Sequence, residues 1–216
     1  MCLIKTAYLQ GRPILAVCAG CWDLIDYIRK VTKCEETDIK VPVVDHANRR
    51  GMVTLNPSNG RVSRNEAIHE VEFVRESLMQ SVIKQPITRI QVNSVHNFAL
   101  NQKSLNETIM QVAARSVANS TCKNKDNTVR RIGSHIMNAE GNVVEAIESI
   151  EGVPIIGTQW HVEAYADEQD NFNFSLIRYM ILAGSAFDIK QTMLRELRRV
   201  ASNSEAHSIP TITTQK

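Results

Sequence analysis

The segment from Pro13 to Cys21, PILAVCAGC, is the part of the chain from which the rest of the architecture follows. Its first five residues are almost continuously apolar, as in a short strand that is buried on both faces. After Gly20, apolar residues return with helical spacing between charged positions, at Leu24, Ile25, Ile28 and Val31. The segment therefore predicts a strand, a tight turn at Cys18 and a helix.

The remaining chain continues this alternation of strands and helices. Strands are predicted over 69–74, 87–93, 111–117 and 153–160, a short helix over 75–82, and loops over 37–64. A hairpin is predicted over 135–147, with its turn at 139–142. Helices are predicted from 171 to 187 and over 189–200, followed by a mobile tail over 202–216. This order indicates an α/β fold with an antiparallel insertion.

Composition restricts the class of protein. The 216 residues carry a formal net charge of +2, and 43% are hydrophobic, which suits one globular domain with a real core and excludes general disorder. So small a charge gives no broad basic surface, so a nucleic-acid partner is not expected. The apolar stretch at the start of the chain is too short for a signal peptide, and no apolar run is long enough to span a membrane. We expect a cytoplasmic protein without a membrane partner.

The five cysteines are unevenly spaced, which favours reduced thiols over a disulfide framework. Cys18 and Cys21 form a single Cys-x-x-Cys. No second pair or neighbouring histidine completes a zinc ligand set, so no metal is expected. Cys21 is predicted to pack against the sheet.

Cys18 is the candidate nucleophile. A helix N-terminus favours the thiolate, the small residues around the turn let strand and helix approach closely, and the amide of Ala19 is placed to bind an oxyanion. A free cysteine that simply packs is the alternative. The second signal is His161, at a predicted strand end, with Glu163 two residues later: a base and the group that orients it.

Two motifs carry a resemblance to a known family. PILAVCAG (13–20) resembles the nucleophile elbow of class I glutamine amidotransferase-like proteins, and GTQWHVE (157–163) resembles their His-x-Glu strand end. Between them, HEV (69–71), VNSVH (92–96) and GNVVEA (141–146) resemble the γ-glutamyl-γ-aminobutyrate hydrolase or γ-glutamyl hydrolase branch. The resemblance spans residues 12 to 187.

The resemblance implies a three-layer, flavodoxin-like fold with a mostly parallel sheet and helices on both faces. It places this domain at residues 1–187, leaving 188–216 as a C-terminal helix and flexible tail. It also implies a Cys-His-Glu triad of Cys18, His161 and Glu163, which hydrolyses a small γ-glutamyl amide through a thioester without a metal or organic cofactor. By the same resemblance, substrate contacts are expected from Trp22, Asn93, Ser94 and His96, with a purely structural role as the alternative for the last three. His46, in the predicted loops, is a less favoured candidate for a substrate loop.

The chain departs from the family pattern where substrate is expected. Trp22 and Phe98 stand in place of two glutamines, and Val162 in place of a proline, which puts the usual γ-glutamyl substrate in question. Twelve residues precede Pro13, so the family's first strands and its glycine-rich oxyanion loop are predicted to be missing. We expect a complementing N-terminal fragment, or a second copy of the chain in a homo-oligomer, to supply the missing part. The alternatives are a non-catalytic or split-protein binding module and, less favoured, the glutaminase subunit of an amidotransferase.

Overall fold

The computed structural model describes residues 2–34, 37–42, 67–82, 87–117, 121–123, 129–131, 143–165 and 171–206. Within these ranges the helices are α1 (Cys2–Gln10), α2 (Ala19–Thr32), α3 (Leu78–Ser81) and α4 (Phe172–Ala206). The strands are β1 (Ile14–Val17), β2 (Lys40–Pro42), β3 (Ala67–Phe73), β4 (Arg89–Ser94), β5 (Phe98–Leu100), β6 (Met110–Ser116), β7 (Thr121–Lys123), β8 (Val129–Arg131), β9 (Val144–Ser149) and β10 (Ile155–Thr158).

One mixed sheet organises the molecule. Its strand order is β1-β10-β9-β6-β3-β4. Off this path, β5 pairs with β9 and β2 pairs with β5. β7 and β8 form a separate two-stranded sheet. β1 pairs in parallel with β10, from Ile14 opposite Ile155 to Val17 opposite Thr158. The other described pairs are antiparallel. β9 and β10 are too close in sequence for a parallel crossover, which needs a dozen residues or more.

Helices cover both faces of this sheet, as predicted. On one face, Leu24, Ile25 and Ile28 of α2 pack with inward residues of β9 and β10, and Ile4 and Tyr8 of α1 pack against the same cluster. On the other face, α4 packs its first turns through Phe172, Leu176 and Met180. Neighbouring residues of one strand serve different faces: Ile155 belongs to the first core and Ile156 to the second.

The predicted α/β class is therefore confirmed, with a difference in the extent of the insertion. The parallel character expected of the sheet is found among the described strands at β1 and β10, which carry the candidate site. The antiparallel part extends from β10 to β4 and is far larger than one hairpin. Short connections and strongly alternating strands such as β3 favour this antiparallel growth.

α4 is longer than the sequence predicts. The two helices expected over 171–187 and 189–200 are one continuous helix of 35 residues, so the predicted boundary between residues 187 and 188 falls inside it. Gly184 stands three residues before that point, but the helix runs through it, and no proline lies between Phe172 and Ala206 to end the helix. Beyond the sheet its apolar side chains are exposed, among them Ile189, Met193 and Leu197.

Most other predicted elements are confirmed with bounds that differ by at most three residues. These are β1, α2, the strands at β3, β4, β6 and β10, and the short helix α3. α1 is an addition that the sequence analysis did not predict. The turn and first arm of the hairpin, His46 with most of the 37–64 stretch, and the tail beyond Ala206 lie outside the described residues.

Neither a membrane-spanning helix nor a metal-binding cluster is found in the described part of the chain. None of its helices combines the length and apolar character needed to cross a bilayer. No group of three or more His, Cys, Asp or Glu side chains there is arranged to hold a metal ion.

Candidate active site

Cys18 lies on a sharp turn between β1 and α2, at the carboxyl end of the parallel pair. Its backbone has φ 51° and ψ −114°, a conformation that only glycine adopts without strain. Its N–H donates to the Thr158 carbonyl over 2.7 Å, and its carbonyl accepts from the Cys21 N–H over 3.0 Å. The turn is thus tied to β10 on one side and to the first turn of α2 on the other, with the half-buried Cys18 at the helix N-terminus.

Cys21 packs beneath this turn, as predicted. Its Sγ donates to the carbonyls of Ala16, over 3.3 Å, and Thr158, over 3.2 Å. Burial, followed by the charges of Cys18 and Glu145, raises the pKa of the Cys21 thiol well above its usual range. Cys21 is therefore held as a neutral thiol.

Gly157 is the residue that permits this close packing of α2 on β10. A Cβ at that position would lie 2.8 Å from Ile147 Cγ1 and 3.0 Å from Cys21 Sγ. From the sequence, that role is expected of the small residues of the turn. At Gly20, however, a Cβ would meet its nearest neighbour, Ala16, at an ordinary 3.8 Å.

His161 and Glu163 follow β10 and lie close together. His161 Nδ1 is 2.6 Å from Glu163 Oε1. A hydrogen bond with the Cys18 side chain, followed by the one with Glu163, raises the pKa of His161 to about 10. Burial acts to raise the pKa of Glu163, but bonding to His161, with a backbone hydrogen bond, lowers it overall. His161 and Glu163 are therefore in contact, and the Cys18 side chain is near enough to act on the pKa of the imidazole, while their joint role as a triad stays a prediction.

Asn93 fixes the backbone of His161. Its Oδ1 accepts from the His161 N–H over 2.8 Å, and its Nδ2 donates to the His161 carbonyl over 3.0 Å. This two-point clamp links β4 to the segment after β10, which are far apart in sequence. The sequence analysis predicted a substrate contact for Asn93. Its side chain is buried and occupied by His161, a role that no local pattern reveals.

The other predicted contact residues occupy different positions. Ala19 is exposed at the first residue of α2, directly after the nucleophile. Trp22 is half-buried, and its Nε1 donates to Gln159 Oε1 over 3.1 Å beside the site. Ser94 and His96 are buried. Contact with a substrate stays a prediction for all three residues. The half-buried position of Trp22 suits such a contact better than the buried positions of Ser94 and His96.

A buried cluster of His69, Glu145 and His96 lies under the site. His69 Nε2 is 3.1 Å from Glu145 Oε1, His96 Nε2 is 3.6 Å from Glu145 Oε2, and all three side chains are fully buried. His96 Nδ1 also contacts the Phe98 carbonyl at 3.0 Å. The Glu145 carbonyl accepts from the Gln159 N–H over 2.7 Å, two residues before His161. The cluster was not predicted. Two features of the sequence point to it: Glu145 lies within an otherwise apolar strand, and His69 lies on the inward face of β3.

The pair of His161 and Glu163 gives the fold a defined pH dependence. The pKa of His161 is raised from 6.5 to about 10, so its contribution to stability is full below pH 6.5 and is lost as pH rises through 10. The pKa of Glu163 is lowered from 4.5, so its contribution is present above pH 4.5 and is lost at lower pH. We expect Glu163→Gln to lower Tm most between pH 5 and 6.5. Thermal unfolding across pH measures this, and a gap in Tm that is constant up to pH 10 would contradict the pairing.

Comparisons with known proteins agree with this geometry. The sequence model of the peptidase C26 family matches residues 1–163. Among curated proteins no match was found. The chain is similar in fold to the glutaminase domain of Trypanosoma brucei CTPS, solved with bound acivicin, at 14% identity and a TM-score of 0.54, covering 85% of this chain and 64% of that one.

Two further solved structures are more distant. One is described as a GMP synthase subunit from Thermoplasma acidophilum, with 15% identity, a TM-score of 0.49 and coverage of 88% and 66% of the two chains. The other is a glutamine amidotransferase from Thermotoga maritima, with 13% identity, a TM-score of 0.39 and coverage of 95% and 67%. The chain thus spans about two thirds of the length of the solved structures it resembles.

The family match covers residues 1–163, a range that includes Cys18, His161 and Glu163. The class I glutamine amidotransferase-like superfamily expected from the motifs is confirmed. The chain belongs to the peptidase C26 family.

Proposed function

We propose that this chain is a cysteine-dependent hydrolase of γ-glutamyl amides, with Cys18 as nucleophile. The observation that carries the proposal is the position of His161, whose Nδ1 lies 2.6 Å from Glu163 Oε1 and whose pKa is raised to about 10 first of all by the Cys18 side chain. This is the arrangement of nucleophile, base and orienting group that acyl transfer through a thiol requires. The peptidase C26 match and the glutaminase domain among its structural neighbours support the same reaction class.

In the first half of the proposed reaction, the Cys18 thiolate attacks the amide carbonyl carbon and forms a C–S bond. The carbonyl electron pair moves to oxygen, where the N–H of Ala19 at the start of α2 supports the negative charge. His161, whose pKa is raised to about 10, holds its proton at neutral pH and donates it to the departing nitrogen. The C–N bond breaks, the amine or ammonia leaves, and a thioester remains on Cys18.

In the second half, the now neutral His161 removes a proton from water. The hydroxide attacks the thioester carbonyl, the C–S bond breaks, and the free acid departs as Cys18 returns to the thiolate. Glu163 holds Nδ1 of the imidazole throughout, and Asn93 holds its backbone. Each residue thereby returns to its starting protonation state after one turnover.

A partner at the edge of the sheet is part of the proposal. β1 carries the nucleophile, and it pairs with β10 on one side while no described strand pairs with its other side. An added strand there, from a complementing fragment or a second copy, would satisfy the open edge next to Cys18. The proposed activity would then rise with the concentration of the chain or of that fragment.

The test is a screen of γ-glutamyl amides, with release of the amine and of glutamate both measured, at several chain concentrations. We expect release by the native chain and none above background by Cys18→Ala. Intact-protein mass spectrometry after rapid acid quench should show a glutamyl adduct on Cys18 that His161→Ala accumulates too slowly to detect. Amine release that persists in Cys18→Ala would overturn the proposal.

A further inference from the structure

Three side chains form a ring-and-cation cluster beside the candidate active site: Trp22, Phe98 and Lys40. The rings of Trp22 and Phe98 meet edge to face, with centroids 6.2 Å apart and planes at 85°. Lys40 Nζ lies 4.9 Å from the Trp22 ring and 5.2 Å from the Phe98 ring, within the range of a cation–π contact to both. Pairing of β2 with β5, which sets Lys40 opposite Leu100, holds the lysine over these rings.

The cluster is connected directly to the nucleophile. Trp22 follows Cys18 by one turn of α2, and its indole N–H donates to Gln159, two residues before His161. Adding the helical rise over that turn to the side-chain reach places the Lys40 ammonium within roughly 15 Å of the Cys18 backbone. A small substrate with its carbonyl at Cys18 can therefore reach the cluster.

The surroundings of the cluster favour negative charge. Lys40 and Phe98 also line a groove of about 1050 Å³ along the C-terminal half of α2. Four of its lining residues are basic and two are acidic: Arg29, Lys30, Lys33 and Lys40 against Asp26 and Asp38. Lys30 is paired with Asp26 at 2.5 Å, whereas no salt bridge joins Lys40 to a carboxylate within the described ranges. The ammonium at Lys40 thus retains donors for an anion from outside the chain.

We propose that Trp22, Phe98 and Lys40 form a subsite for a substrate group that joins a flat apolar portion to a carboxylate. The rings offer faces and edges for the apolar portion, and Lys40 supplies a charge-assisted hydrogen bond to the carboxylate. As a statement about the substrate, this deepens the hydrolase function proposed above. It narrows that substrate to amides in which such a group lies on either side of the scissile bond.

Binding to this subsite can be measured without any turnover. The chain has two tryptophans, so a ¹H–¹⁵N spectrum contains two indole N–H signals, and Trp22→Phe assigns them. Trp160 is the internal control, because it is fully buried and its Nε1 donates to Asn173 over 2.7 Å. The probes are 3-phenylpropanoate and its neutral amide, 3-phenylpropanamide, which differ only in the charged group.

We expect the Trp22 signal to move with either probe while the Trp160 signal stays in place. The acid should bind about tenfold more tightly than the amide, and Lys40→Met should abolish that preference while the amide affinity is unchanged. Equal affinities in the native chain, a preference that survives in Lys40→Met, or no shift of the Trp22 signal would each overturn the subsite. Because the readout is independent of Cys18, loss of the hydrolase function and loss of the subsite are separate results.

Discussion

Replacing His161 by alanine is expected to slow the alkylation of Cys18 by iodoacetamide at pH 7 by about tenfold, because the reagent reacts with the thiolate and a neighbouring cation favours that form. The cation that is lost is the His161 imidazolium, which, with a pKa of about 10, keeps its charge at neutral pH. The measurement is a time course with limiting reagent, in which the labelled peptides are quantified by mass spectrometry.

Cys34 provides the reference on the same chain. It is a free, half-buried cysteine just after α2, where its Sγ lies 3.2 Å from Thr32 Oγ1, at the far end of that helix from Cys18. Its alkylation rate should be the same in the native chain and in His161→Ala, which shows that the fold is retained. If Cys18 in the native chain reacts no faster than Cys34, or if His161→Ala leaves its rate unchanged, the three residues do not work together.

Glu145→Gln is expected to lower the free energy of unfolding by about 2 kcal/mol, because it leaves a buried polar group of the cluster without its partner. The carboxylate lies between the imidazoles of His69 and His96, and all three side chains have no exposed surface. The amide keeps the shape but replaces one of the two oxygens by an N–H donor, so one of the two imidazoles loses the acceptor beside it in a fully buried position. Urea unfolding followed by circular dichroism gives the value.

Glu72→Gln is the matched control for this measurement. Glu72 is also a sheet residue facing a basic side chain, with Oε1 3.3 Å from Arg89 Nη2, but about half of each side chain is exposed. Exposed pairs contribute about 0 to 1 kcal/mol, so this variant should unfold almost as the native chain does. Equal losses in the two variants would mean that the contacts of the buried Glu145 carboxylate stabilise the fold no more than an exposed pair does.

Local sequence patterns predict β1 and α2, and they place Cys18 and His161 at the ends of two strands. A continuous apolar run marks a strand buried on both faces, and the helical spacing after Cys18 marks α2. The carboxyl ends of parallel strands meet at one edge of a sheet, so these two positions predict that Cys18 and His161 lie near each other.

The features that sequence analysis missed depend on contacts between distant segments. Asn93 holds His161 across 68 residues, and its amide would look the same in a substrate pocket. The cluster around Glu145 draws one residue each from β3, β9 and the segment before β5, so no single stretch of sequence reveals it. The reason for α1 is different. Its apolar stretch is too short for a signal peptide, and by itself it does not predict a helix. The helix packs on α2, where the ring centroids of Tyr8 and Tyr27 are 5.6 Å apart.

The backbone conformation of Cys18 places a stability cost at the proposed nucleophile. Holding a side chain at φ 51° and ψ −114° costs about 1 to 3 kcal/mol relative to glycine at the same position. The hydrogen bonds that tie the turn to β10 and to the first turn of α2 keep the residue in this conformation against that cost. The Cys18 side chain is thus presented from a backbone that glycine would occupy with less strain.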